Sequence, residues 1–172
     1  MPAEAWLSSY TRSTFQSSCR RHLLVTGRKG CGKTTLIESL IGSKPLPGVR
    51  SCVERGADGQ PVLVALEERT GPGRCVIGRR RDRQMFAQVP ALDRTGVQLL
   101  RRTLYAPGKW VCVDEIGFLE EASPLYQQAM WQLFEHKRVL AALRKEELPF
   151  LIRLRSRADC LLLDLDAAEG WQ

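Results

Sequence analysis

The residues best suited to chemistry lie in two short stretches. The first is Gly27-Arg28-Lys29-Gly30-Cys31-Gly32-Lys33-Thr34, followed by Thr35. Glycines at this spacing let the chain bend and approach a ligand closely, so that backbone N–H groups turn inward onto phosphate oxygens. A helix starting behind such a loop adds unpaired N–H groups and a partial positive charge. There the Lys33 ammonium reaches the β- and γ-phosphates, and the Thr34 hydroxyl is a ligand for Mg²⁺. The second stretch is Asp114-Glu115-Ile116-Gly117. Asp114 suits the holding of Mg²⁺, directly or through water, and Glu115 the orienting of an attacking water.

Both stretches need elements that aim them at one point. His22-Leu23-Leu24-Val25-Thr26 is a short apolar run, which predicts a strand over about 22–26. Behind the loop, Leu36, Ile37, Leu40 and Ile41 share one side of a helix over about 33–42. Strand, glycine loop and helix in this order are the context of a P-loop, with Gly27 to Thr34 as its G-x-x-x-x-G-K-T. Trp110-Val111-Cys112-Val113 predicts a strand buried on both faces that ends in the two acids. In open α/β sheets ligands sit at the carboxyl ends of strands, so these acids are expected to face the loop.

The remaining punctuation predicts a β-hairpin from Val49–Glu54 and Pro61–Glu67 around Gly56-Ala57-Asp58-Gly59, then a strand over Arg74–Ile77. This antiparallel segment interrupts the βα rhythm and reads as an insertion after the loop's helix. Residues 79–92 read as basic and irregular. Helices follow over about 94–104 and 124–135, a strand over 138–143, a helix over 146–155 and a last strand within 159–164. Residues 1–20 show no clear period and read as a mobile extension, with 21–172 as one domain. The expected architecture is α/β: a mainly parallel twisted sheet with helices on both faces.

Composition narrows the partners. At 172 residues and 44% hydrophobic content the chain supports an ordinary core, and no apolar run approaches the ~20 residues of a membrane span. The N-terminus lacks the apolar stretch of a secretory signal, so a cytoplasmic protein without a membrane partner is expected. None of the six cysteines forms C-x-x-C, and only His22 and His136 are available to join them on a metal. The net charge of +7 suits a polyanion. Arginines cluster at Arg79-Arg80-Arg81 with Arg83, at Arg101-Arg102, and at Arg153, Arg155 and Arg157. They are not interleaved with aromatic residues as nucleic-acid stacking platforms would be, which favours a nucleoside triphosphate over nucleic acid.

The pair G-x-x-G-x-G-K-T-T-L and D-E-I-G-x-x-E, the latter at Asp114 to Glu120, resembles the THEP1-like nucleoside-triphosphatases, also called cancer-related NTPases in animals. Leu119 stands where the family usually has Met. Gly48 and Arg55 match the ends of the family's G-F-x-T-x-E-x-R stretch, and the likeness spans roughly 21–166. It implies Mg²⁺-dependent hydrolysis of ATP, GTP or other nucleoside triphosphates to diphosphate and phosphate, with loose base preference. Lys33 and Thr34 would carry the Walker A roles, Asp114 the metal role and Glu115 that of the catalytic base. The family's closing Thr…Asn-Arg segment has no counterpart in Asp164-Leu165-Asp166-Ala167-Ala168. An assisting arginine would come from Arg79–Arg83 or from Arg144, and the residues alone do not choose. Two other readings stay open: a small-molecule kinase with 79–83 as a lid, and a nucleotide-gated assembly factor. The guanine-reading N-K-x-D motif is absent.

Overall fold

The computed structural model describes residues 3–168. Its continuous apolar runs become the middle of one eight-stranded sheet. In chain order these are β1 (His22–Thr26), β2 (Gly48–Arg55), β3 (Pro61–Glu68), β4 (Arg74–Arg81), β5 (Gln84–Ala87), β6 (Trp110–Ile116), β7 (Arg138–Leu143) and β8 (Cys160–Asp164). The spatial order is β5-β4-β3-β2-β6-β7-β1-β8. Pairs from β2 through β8 are parallel, while β2-β3, β3-β4 and β4-β5 are antiparallel. The insertion after the loop's helix is therefore an antiparallel wing, anchored because β2 runs parallel to β6 with Arg50 opposite Asp114.

Side-chain alternation along β1 sends Leu24 to one face and Leu23 and Val25 to the other. On one face α1 (Ala3–Ser17) and α2 (Lys33–Ile41) pack Leu7, Phe15, Leu36 and Ile37 against Cys112, Leu140 and Ala142. On the other, α4 (Val97–Tyr105), α5 (Pro124–His136) and α6 (Pro149–Arg155) bury Leu99, Tyr126, Met130, Phe134 and Phe150 against Val111, Val113 and Val139. Such a two-faced core requires the continuous apolar runs of β1, β6 and β7, because no face of these strands meets water.

Several boundaries differ from the sequence expectation for physical reasons. Residues 79–92 are ordered: β4 continues to Arg81 and turns into β5 through Asp82 and Arg83, both left-handed at φ 45° and 68°. That is the backbone of a two-residue hairpin turn without the usual Asn or Gly signal. Pro90 lies in the first turn of a short helix, α3 (Val89–Ala91), where its missing N–H costs nothing. The helical path then passes through a π turn at Leu92–Gly96 into α4. α6 starts at Pro149 because the preceding Leu148 is held extended. Helix α1 occupies residues in which the sequence shows no clear period.

Candidate active site

The loop joins β1 to α2. Gly30 and Gly32 adopt φ 79° and 93°, and open space surrounds the position of a Cβ at each. These glycines are required by backbone handedness, not by crowding. α2 begins at Lys33 directly behind Gly32, so its first-turn N–H groups have no intrahelical partners. Lys33 is buried, and its Nζ donates to the carbonyls of Gly27 at 3.0 Å and Arg28 at 3.2 Å.

β6 delivers its two acids to the same place. The Thr34 hydroxyl donates to Asp114 Oδ1 at 3.3 Å, across 80 positions of sequence. Lys33 Nζ lies 3.3 Å from Glu115 Oε2. The acids thus face the loop as expected, with the loop lysine against the second acid and the loop threonine against the first. Burial pushes the Asp114 carboxyl above the usual carboxylate range, partly offset by the Thr34 hydrogen bond. Thr34 and Asp114 are hard oxygen donors, a pair that Mg²⁺ takes together with phosphate oxygens and water. Among the described residues no three His, Cys, Asp or Glu side chains converge as a protein-only metal cage. His22 is buried with Nδ1 accepting from Val139 N–H at 3.1 Å, and burial lowers its pKa to about 4, so it is a neutral core residue.

Arg144, the residue after β7, donates from Nε to Glu115 Oε1 at 2.7 Å, and its guanidinium lies 5.4 Å from the Phe118 ring centre. The Arg79–Arg83 cluster is elsewhere. β4 is separated from β6 by β3 and β2, and Arg80 is paired with Asp58 at 2.9 Å. None of these arginines lines the cleft of about 510 Å³ that holds Thr34, Asp114, Glu115 and Arg144. That cleft continues past Glu115 onto an apolar surface of Val53, Val64, Ile77, Met85 and Leu119.

Three supporting residues carry no role in the sequence reading. Asp166, in α7 (Leu165–Ala168), accepts the Arg28 backbone N–H at 3.1 and 3.0 Å and pairs with Lys145 at 3.0 Å. The Arg28 N–H, with help from Lys145, holds its carboxyl below the usual range. Ser51 on β2 donates to the Glu115 carbonyl at 3.1 Å, tying the wing to β6. Glu120 is buried and accepts the Gly117 N–H at 3.0 Å; burial pushes it up to about 7. Only Glu120 had a signal, as the last acid of D-E-I-G-x-x-E.

Known proteins resemble this chain in sequence and in fold. A family model described as NTPase matches residues 62–169, more than half of the chain. The nucleoside-triphosphatase THEP1 of Thermotoga sp. strain RQ2 is 27% identical over 84% of this chain and 86% of its own length. That of Thermotoga petrophila is 28% identical over 84% and 83%. The crystal structure of THEP1 from Aquifex aeolicus shares the fold, with a TM-score of 0.62 and 18% identity over 84% of this chain and 89% of that one. With its glycine loop, paired acids and sheet order, this chain belongs to the NTPase family, among the THEP1-like nucleoside-triphosphatases.

Proposed function

We propose that the chain hydrolyses nucleoside triphosphates to diphosphate and phosphate in a Mg²⁺-dependent reaction with loose base preference. One observation carries the reading: Thr34–Asp114 and Lys33–Glu115, each at 3.3 Å, bring the loop and the acidic strand end together. The Gly27 to Thr35 stretch holds the phosphates through its backbone N–H groups. Lys33 exchanges its loop carbonyls for β- and γ-phosphate oxygens. Thr34 and Asp114 are the residues that would hold Mg²⁺, which when bound neutralises developing charge between the phosphates. Glu115 orients a water in line with the γ-phosphorus and accepts its proton as the bond to the β-phosphate oxygen breaks. The names of the Thermotoga relatives support the same reaction.

A phosphate-release panel over the common nucleoside triphosphates, with and without Mg²⁺, tests this. Release from several bases only with Mg²⁺ is expected. Glu115→Gln should bind nucleotide and lose hydrolysis; retained turnover in that variant overturns the assignment. The apolar extension of the cleft beyond Glu115 favours a second reading, phosphoryl transfer to a small hydroxyl compound. Transfer to an added nucleoside or metabolite that outpaces phosphate release would establish it.

A further inference from the structure

Glu115 is held by two cations at once. Lys33 Nζ sits 3.3 Å from Oε2 and Arg144 Nε 2.7 Å from Oε1. A carboxylate gripped in this way stands in for a phosphoryl group: two oxygens of one anion, each facing a separate positive donor. In that grip each carboxylate oxygen of Glu115 is occupied by a cation. An entering γ-phosphate offers three oxygens and more charge to the same donors.

Arg144 is built into this position. β7 lies between β6 and β1 in the sheet, so its carboxyl end opens between the two strands that carry the loop and the acids. A Cβ on Gly117 would lie 2.9 Å from Arg144 Cδ, so the bare backbone of Gly117 gives the arginine stem its passage. Phe118 stacks on the guanidinium at 5.4 Å, and Glu146 approaches it at 3.5 Å. Three other arginines are paired with acids of their own: Arg50 with Glu67 at 3.2 Å, Arg69 with Glu38 at 2.8 Å and Arg80 with Asp58 at 2.9 Å.

We propose that Arg144 is a catalytic residue that leaves Glu115 for the γ-phosphate oxygens when a nucleoside triphosphate binds, supplying the assisting arginine from within the chain. The proposal rests on the hydrolytic reading above. Arg144 then stabilises charge on the transferred phosphoryl group, and the released Glu115 carboxylate takes the proton of the attacking water. The leaving diphosphate lacks a γ-phosphate, so Arg144 returns to Glu115 and resets the site. An arginine in this role is worth about 10³-fold or more in turnover.

The decisive measurement is made in the full chain carrying Glu115→Gln, where Arg144 no longer has the Glu115 carboxylate to position. Adding Arg144→Ala to that background should weaken nucleoside triphosphate affinity at least about 10-fold relative to diphosphate affinity, the loss of a charge-assisted hydrogen bond to the γ-phosphate. In the otherwise native chain, Arg144→Ala should lower turnover about 10³-fold and abolish the tightening of diphosphate binding by aluminium fluoride. Arg144→Lys, which keeps a stem across Gly117, should recover part of both effects and serves if Arg144→Ala does not fold. Unchanged triphosphate-to-diphosphate selectivity in the Glu115→Gln background reduces Arg144 to a positioning residue and overturns the proposal. An inactive parent, or a fully active Glu115→Gln, would instead overturn the hydrolytic reading, so the two failures are distinguishable.

Discussion

The parallel half of the sheet and its antiparallel wing use the same residue types to opposite ends. In the parallel half, Lys33 at the start of α2, Asp114 and Glu115 at the end of β6 and Arg144 after β7 converge, with Lys33 and Asp114 both 6% exposed. In the wing, charges pair along the surface: Arg50 with Glu67, Arg74 with Glu54, Arg80 with Asp58. Converging ends concentrate charge in a half-buried, low-dielectric cleft, where each group changes the behaviour of the others. Pairs strung over an exposed sheet are screened by water and salt and add little. Arginine count therefore says less about function than the edge on which an arginine emerges.

Four substitutions break or sharpen that contrast. Glu115→Gln should reduce turnover by about 10²–10⁴ while nucleotide still binds, read by steady-state phosphate release and equilibrium titration. Gly117→Ala pushes a Cβ to 2.9 Å from Arg144 Cδ and should cost about 10- to 100-fold in turnover through misplacement alone. An unchanged rate would show that the arginine stem has room to spare.

Glu120→Gln acts on stability. The buried carboxyl titrates at about 7 in the fold against 4.5 unfolded, so its stabilising contribution is complete below pH 4.5 and lost as pH rises through 7. The variant should be more stable than the parent at pH 8, by as much as about 3 kcal/mol, with the gap closing below pH 4.5 in denaturant titrations at each pH. A pH-independent gap would mean that Glu120 titrates at the same pH in the folded and unfolded chain. Smallest of all, Arg80→Ala should move the thermal midpoint by less than about 2 °C and leave turnover unchanged. A large loss of activity there would erase the distinction between wing and cleft.

The site was legible in sequence to the extent that chemistry fixes spacing. A phosphate cradle demands glycines, lysine and threonine at set intervals, and a paired acid must follow a buried strand; both stretches could be read without knowing the sheet order. Arg144 could not be chosen over Arg79–Arg83, because the choice depends on β7 lying between β6 and β1, a non-local fact. β5 escaped since its turn places Asp82 and Arg83 at positive φ, where pattern reading looks for Gly or Asn. Asp166 escaped because an acid near a strand end resembles any solvated carboxylate until the strand is laid beside β1.

Asp166 ties the last described helix to the back of the nucleotide loop through the Arg28 N–H, with Lys145 as a second tether. A pull applied downstream of α7 therefore reaches the Arg28 backbone in the loop between β1 and α2. An affinity handle or fluorescent fusion attached on that side should perturb kinetics, whereas one attached ahead of α1 pulls on a helix docked against α2 and Trp110, outside the cleft.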